Sequence, residues 1–307
     1  METPTSNVAI GEYVVVKLPK ANFYTKFILT TGILLLSALL TSLTITSSLS
    51  ASSPKCSKTL SIGFPNIETA SIKDNLFDPV LVDIAIFKKS MEFTGCPYTL
   101  ENFPWKRTIN AVKHGEIDGA FDVSLTTERE EFGRYSLPYR EEKMGIVMRL
   151  ADIPNFEVNS FSDIVSSRLT IGTNIGYWYG EQFDKAYNNN PAFRKRVLRT
   201  SLDMTMGAWL TKDRVDMFFI EQGAAKHIIA AYDYDDAIGL HPFVLNSAPL
   251  HIFLSKKTTT QGDIEVINTG LRKLFSSDLY KRLLAVFSKH RLTKADRELL
   301  NEILELN

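Results

Sequence analysis

The sequence has no excess of charge of either sign. Its 307 residues include 35 basic and 35 acidic side chains, so the formal net charge is zero. A protein that binds nucleic acid needs a basic face to pair with phosphates, and the overall balance argues against that class. The net charge does not exclude a local basic patch. The hydrophobic content of 44% is enough for a sizeable core, and the length indicates about two domains.

The sequence also lacks the common catalytic signatures. It contains no G-x-S-x-G elbow, no G-x-x-x-x-G-K phosphate loop, no H-E-x-x-H motif and no dinucleotide-binding fingerprint. Its five histidines are scattered singly, and no Cys/His spacing suits a metal ion. We therefore expect a protein that is not an enzyme and that has no catalytic residues, no metal and no cofactor.

Charged residues are absent from positions 27–54, and positions 27–45 are mostly apolar. Three lysines precede this stretch, a distribution that directs the chain start toward the cytoplasm. The small residues of "TITSSLSASS" (44–53) are those that a signal peptidase prefers. A cleaved signal peptide and a retained inner-membrane anchor both fit, and a buried core helix is a third interpretation. With either of the first two, residues from about 55 onward are periplasmic or otherwise extracytoplasmic.

Cysteine is scarce, with Cys56 and Cys96 as the two examples. Each lies just ahead of a predicted strand. Outside the cytoplasm the oxidising environment favours pairing. We expect a disulfide between the entries of the first two strands, with two free thiols as the alternative.

Strand and helix patterns alternate along the rest of the chain, which predicts parallel sheets with right-handed crossovers. The stretch "KHGEIDGAF" (113–121) weakly resembles "TKDRVDMFF" (211–219) at an offset of 98 residues, which aligns Asp118 with Asp216. This repeat suggests two lobes of similar design. Predicted strands at 143–150 and 247–257 would link the lobes and leave a cleft between them.

The stretch "SLTTEREEF" (124–132) predicts a helix start. Thr127 and Glu130 form a Thr-x-x-Glu capping box, so the helix should begin at Thr127. Arg129 then lies in the first turn, beside the partial positive charge of the unpaired N–H groups. A cation is unfavourable there unless an anion joins it.

The segment "PWKRTINAVKHGEIDGAFDVSLTTEREEFGRYSLPY" (104–139) resembles the extracytoplasmic solute-binding proteins of the polar amino-acid type. "IGTNIGYWYGEQFD" and "VDMFFIEQGAA" match less specifically, and the resemblance spans roughly residues 57–290. It implies a type II periplasmic binding fold, in which two Rossmann-like α/β lobes are joined by two hinge segments. The expected domains are a signal or anchor segment (1–54), a first lobe (55–149 with 247–307) and a second lobe (150–246).

The same resemblance implies a ligand site. Arg129 would hold the α-carboxylate of an amino acid, assisted by N–H groups of the turn at Thr126. The alternative for Arg129 is a structural salt bridge, for instance to Asp122. Glu221 stands where many members carry an aspartate that binds the ligand's ammonium group. A helix-capping glutamate in solvent is the alternative there.

Three aromatic residues complete the expected site. Trp105 and Phe64 follow predicted strands, at the sheet edge where such folds bind ligands, and Tyr177 lies in a glycine-rich turn. Each could stack on a ligand or belong to the core.

The expected function is binding of a small polar solute, an amino acid or related carboxylate, by closure of the two lobes of a monomer. The protein would deliver this ligand to the permease of an ABC transporter. A sensor module for a separate membrane receptor is the alternative, and a dehydratase- or lyase-like enzyme on the same fold is a further one. No nucleic-acid partner is expected.

Overall fold

The computed structural model describes residues 55–64, 79–289 and 291–305. The predicted signal or anchor segment at 27–45 lies outside the described residues. Within those ranges, no helix combines the length and the apolar character that crossing a membrane requires.

The described residues form one eight-stranded mixed sheet and eleven α-helices. The strands are β1 (Leu60–Phe64), β2 (Tyr98–Asn102), β3 (Gly119–Ser124), β4 (Gly133–Arg149), β5 (Ile171–Asn174), β6 (Val197–Thr200), β7 (Met217–Glu221) and β8 (Ile238–Ser255). The helices are α1 (Val80–Glu92), α2 (Trp105–His114), α3 (Thr127–Phe132), α4 (Phe161–Ser166), α5 (Glu181–Asn189), α6 (Pro191–Lys195), α7 (Asp203–Thr211), α8 (Gln222–Ala231), α9 (Gln261–Phe275), α10 (Asp278–Phe287) and α11 (Lys294–Leu304). The strand order is β2-β1-β3-β8-β4-β7-β5-β6.

The strand pairing divides this sheet into two lobes. Strands β1, β2 and β3 are parallel, and β3 pairs antiparallel with the end of β8. Strands β5, β6 and β7 are likewise parallel, and β7 pairs antiparallel with the end of β4. Strands β4 and β8 have 17 and 18 residues, about three times the usual length, and run through both lobes. The predicted fold of two α/β lobes joined by two hinge segments is confirmed.

The alignment of Asp118 with Asp216 is reproduced in the structure. Asp118 Oδ2 accepts hydrogen bonds from the Ser61 N–H and hydroxyl at 2.9 and 3.3 Å. Asp216 Oδ2 accepts the equivalent pair from Thr170, both at 2.7 Å. Each aspartate thus ties the start of one parallel strand to the next strand. These two residues are structural, and the repeat reflects lobes built on the same local plan.

The strand pairing shows where β4 and β8 pass from one lobe to the other. Residues Met144–Met148 of β4 already lie beside β7, and Leu250–Leu254 of β8 lie beside β3. Between these segments β4 and β8 pair with each other, as Glu141 does with Pro249. The expected boundary at 149/150 would therefore assign to the first lobe residues that pair in the second. The pairing favours a first crossing near 138–143, and the lobe boundaries stay a prediction.

The predicted disulfide between Cys56 and Cys96 is present, with Cα atoms 5.4 Å apart. The parallel register aligns Leu60 with Tyr98, so the segments that enter β1 and β2 start from the same edge of the sheet. The bridge closes a separation of 40 residues and anchors the segment before β1 to the first lobe.

Candidate functional site

A cavity of about 140 Å³ lies between the lobes, among residues that follow or end several strands. Asp122 comes from β3, Asn174 from β5 and Glu221 from β7, while Trp105 follows β2 closely. In open α/β sheets, ligands bind at the carboxyl ends of the strands. The cavity therefore occupies the position that this fold offers to a ligand.

The cavity lining is strongly acidic. Among the described residues, five carboxylates and a single guanidinium, that of Arg140, line it. The carboxylates are those of Asp83, Asp122, Glu142, Asp203 and Glu221. They come from α1, β3, β4, α7 and β7, so both lobes contribute acidic groups.

Arg140 is committed to two of these carboxylates. Its Nε and Nη2 donate to the two oxygens of Asp83, each at 2.6 Å, and Nη2 also donates to Asp122 Oδ1 at 3.2 Å. The guanidinium carbon lies 4.2 Å from the centre of the Phe287 ring. Burial alone would lower the pKa of Arg140, but the Asp83 carboxylate raises it well above the ordinary value. Arg140 stays charged and bidentate.

Asp122 reaches the cavity through an irregularity in β3. The pairing of β3 with β8 shifts between Ala120 and Val123, and Asp122 has φ = 64°, in the left-handed region. Such a bulge redirects a side chain at the cost of local strain. The Asp122 N–H donates to the hydroxyl of Tyr139 at 3.0 Å, which holds the bulge. Burial and the nearby Asp83 raise the pKa of Asp122 well above its ordinary range.

The other three carboxylates have neutral hydrogen-bond donors. Glu142 Oε2 accepts from the Ser124 hydroxyl at 3.0 Å, and Glu221 Oε2 accepts from the Ala224 N–H at 2.9 Å. Asp203 accepts from Asn174 Nδ2 at 2.6 Å and from the Tyr177 hydroxyl at 2.8 Å. Burial raises the pKa of each, that of Glu142 to about 7. Glu221, expected at the site, does line the cavity, where it also caps α8.

Two of the expected aromatic residues also line the cavity. Trp105 from the first lobe and Tyr177 from the second meet edge to face, with ring centres 6.4 Å apart. Phe64 does not line it, since its ring stacks on Phe121 in the first-lobe core at 6.1 Å. Trp105 and Tyr177 therefore form an aromatic contact between the lobes at the edge of the cavity.

Arg129 and Thr126 lie outside the cavity lining. Helix α3 begins at Thr127 as predicted, but its cap is Thr126, whose hydroxyl accepts from the Arg129 N–H at 3.2 Å. The Arg129 guanidinium donates to the carbonyls of Ser124 at 2.8 Å and Gly176 at 3.3 Å. It thus joins β3 to the second lobe. The considered salt bridge to Asp122 is not formed, because that carboxylate pairs with Arg140.

Sequence reasoning did not assign Asp83, Arg140, Glu142 or Asp203 to the site, and it considered Asp122 only as a salt-bridge partner. Two of these residues carry a visible signal, because Asp83 and Asp122 are single charges inside the apolar runs "PVLVDIAIF" and "GAFDVSL". A charge in such a run requires a specific partner when the segment is buried. Arg140 and Glu142 lie in the charged run "YREEK" (139–143), which gives no such signal. Asp203 is the single charge in "TSLDMTMGAWLT" (200–211), where the start of a helix already accounts for an acidic residue.

No family model and no curated protein matches this chain. Solved structures do match. A variant of the arginine-binding protein ArgBP from T. maritima is 20% identical with a TM-score of 0.60, covering 75% of this chain and 96% of that one. The arginine-, lysine-, histidine-binding protein ArtJ from Geobacillus stearothermophilus is 17% identical with a TM-score of 0.59, covering 78% and 99%.

A histidine kinase sensor domain with similarity to periplasmic binding proteins also matches. It is 14% identical with a TM-score of 0.58, covering 75% of this chain and 96% of that one. At these identities the likeness establishes the fold, which is that of the amino-acid-binding periplasmic proteins. The matching structures named here are binding and sensor proteins rather than enzymes, in line with the sequence-based expectation.

Proposed function

We propose that the protein binds a small polar solute in the cavity between its lobes, outside the cytoplasm, and that the lobes close on it. The observation that carries this proposal is the charged cavity at the strand ends, to which both lobes contribute side chains. Of the expected residues, Glu221, Trp105 and Tyr177 are the proposed ligand contacts. Arg129 and Thr126 support the contact between the lobes, and Phe64 supports the first-lobe core.

The proposed role after binding is delivery of the solute to the membrane component of an ABC transporter. A relative of similar fold is described as an amino acid ABC transporter substrate-binding protein from Streptococcus pneumoniae bound to L-arginine. The second candidate is a sensor module for a separate membrane receptor, which is favoured by the likeness to a histidine kinase sensor domain. Both roles use the same closure around a solute.

A thermal-shift screen of the full-length protein in mild detergent tests binding. The panel contains amino acids, amines and organic acids. A ligand at 100 times its dissociation constant stabilises the folded state by about 2.7 kcal/mol. For a protein of this size that corresponds to a rise in Tm of about 5–10 °C.

A variant with an obstructed cavity provides the control. Ser201 is exposed and lines the cavity, so Ser201→Trp should abolish the shift while leaving the fold intact. Ser162→Trp, at an exposed position on α4 outside the cavity lining, should behave like wild type. If no compound raises Tm, or if Ser201→Trp retains the shift, the cavity is not the binding site.

A further inference from the structure

The cavity has acidic groups on both lobes but few positive groups to match them. Asp122 and Glu142 come from β3 and from the crossing segment of β4, and Asp203 and Glu221 come from the second lobe. Among the described residues, the basic side chains of the lining are the Arg140 guanidinium and the His227 imidazole. The Arg140 fork already holds Asp83 and Asp122. A ligand carboxylate placed here would meet carboxylates before it met an available cation.

Glu142 shows the imbalance most directly. Its residue is 8% exposed, and Ser124 satisfies one of its two carboxylate oxygens. Oε1 makes no hydrogen bond to the described residues, and it is not among their buried atoms without a partner, so it is open to the cavity that Glu142 lines. A buried carboxylate is costly unless a charge or several donors compensate it. The guanidinium groups of Arg140 and Arg129 act on Glu142 without hydrogen bonding to it, which leaves Oε1 available to a donor that enters the cavity. A cationic donor fits this position best.

Arg129 does not supply a carboxylate site in this arrangement. Two of its guanidinium nitrogens donate to the carbonyls of Ser124 and Gly176, and the residue is 7% exposed. Arg129 is also outside the cavity lining, so in this arrangement it does not present its remaining N–H groups to a ligand there.

The cavity wall also suits a cation. Trp105 and Tyr177 both line it, and aromatic faces attract ammonium and guanidinium groups. The Tyr177 hydroxyl is oriented toward Asp203, so the ring is held beside one of the acidic groups. Aromatic rings and carboxylates together form the usual surroundings of a bound organic cation.

We infer that the cavity takes a small organic cation with two positive ends, a diamine or a guanidino-amine, and that it has no use for a ligand carboxylate. One end would lie against Asp122 and Glu142, and the other against Asp203 and Glu221. This inference rests on the proposed function, because it names the class of solute that the same cavity binds.

Matched pairs of ligands test the inference. Arginine and agmatine differ only in the α-carboxylate, as do lysine and 1,5-diaminopentane. Titration calorimetry on the full-length protein in mild detergent gives a dissociation constant for each. We expect each amine to bind at least about tenfold more tightly than its amino acid, because like charges in one site repel. Glutamate, which adds a second carboxylate, should give no heat of binding.

Two variants separate the inference from a carboxylate clamp at Arg129. Glu142→Gln should weaken agmatine at least about tenfold, because a charge-assisted hydrogen bond becomes neutral. Arg129→Met, which keeps the apolar stem, should leave the arginine-to-agmatine ratio of affinities unchanged. Thermal melts of both variants without ligand establish that they fold, and Arg129→Lys provides a milder replacement if Arg129→Met does not.

The outcomes are distinguishable. If an amino acid binds more tightly than its amine, and Arg129→Met removes that preference, the inference is wrong while the proposed function stands. If neither member of any pair binds, and no compound of the thermal-shift panel raises Tm, the proposed function fails and the inference fails with it. If each amine binds more tightly than its amino acid, and Arg129→Met leaves the ratio of the two affinities unchanged, the inferred class of ligand is established.

Discussion

Glu142 should make ligand binding depend on pH near neutrality. Burial raises its pKa to about 7, against the opposing effect of Arg140 and with a contribution from Glu221. Arg129 and Asp122 also interact with it, and Asp83, Asp203 and His227 line the same cavity. In the unliganded protein Glu142 is therefore about half protonated at neutral pH, whereas a bound cation requires the ionised form.

The size of the effect follows from the ionised fraction. About 1.5 pH units below the pKa, roughly 3% of the protein carries an ionised Glu142, and 1.5 units above it nearly all does. The association constant should thus rise about 30-fold between about pH 5.5 and pH 8.5, which corresponds to about 2 kcal/mol. Agmatine keeps both charges over this range because amines of its kind titrate near pH 10. The change in affinity therefore belongs to the protein.

The unliganded protein should show the opposite trend. Because the folded-state pKa of Glu142 lies above the unfolded value of about 4.3, the contribution of this group to stability is complete below that value. It is lost as pH rises through about 7. The Glu142 contribution to the free energy of unfolding should thus fall with rising pH while agmatine affinity increases. Comparing wild type with Glu142→Gln isolates this contribution from that of His251, whose pKa is lowered by burial and which has the opposite effect.

Calorimetry with agmatine over this pH range, in buffers of different ionisation enthalpy, measures both affinity and proton release. Glu142→Gln should remove most of the slope above about pH 6 and the release of protons near pH 7. Glu141→Gln is the matched control, because alternation along β4 directs this exposed neighbour to the other face. Agmatine affinity that is constant with pH in wild type, or a slope that survives in Glu142→Gln, would refute the reasoning.

The remaining predictions concern stability and lobe closure. Replacing Cys56 and Cys96 by alanine should lower the free energy of unfolding by about 4 kcal/mol, measured by denaturant titration, since the bridge closes a separation of 40 residues. Asp83→Asn should cost about 3 kcal/mol in the same assay, because it leaves the buried guanidinium with Asp122 alone. Gly176→Ala should weaken agmatine binding about threefold to tenfold, because its Cβ would lie 3.1 Å from the Lys106 Cα across the lobe contact. Gly95→Ala, also at positive φ but with open space around it, is the control whose binding should not change. Small-angle scattering should show a smaller radius of gyration with saturating agmatine, and an identical profile would count against hinge closure.

Much of the fold was predictable because it depends on local patterns. Alternating strands and helices and the start of α3 at Thr127 follow from short stretches of sequence. The pairing of Cys56 with Cys96 follows from the position of each cysteine just ahead of a strand and from the predicted oxidising environment. The full lengths of β4 and β8 were not predicted. Pro138 and Pro249 interrupt their patterns, and both prolines lie near the crossing, where β4 and β8 pair with each other and the register shifts.

The candidate site was predictable only in part, because its charges come from segments distant in sequence. Arg129 illustrates the limit: the helix start was correctly located, but the guanidinium donates to the Gly176 carbonyl, 47 residues away. Arg140 and Asp83 are 57 residues apart and form the main ion pair of the cavity. A local pattern can indicate that a charge needs a partner, but only the fold determines whether that partner is another side chain, a carbonyl or a ligand.

The distribution of charge suggests how binding and closure are coupled. Asp203 and Glu221 belong to the second lobe, whereas Asp122 lies on the first and Glu142 on the crossing strand. With the cavity empty, closure brings these carboxylates together in a low-dielectric space, which is unfavourable unless some of them are protonated. A ligand with two cationic ends replaces that repulsion by attraction between each end and the carboxylates of one lobe. Its binding also releases the protons that these carboxylates held in the empty cavity. The same charges that oppose closure of the empty protein then favour closure around a dication, which makes the closed state depend on the ligand's charge.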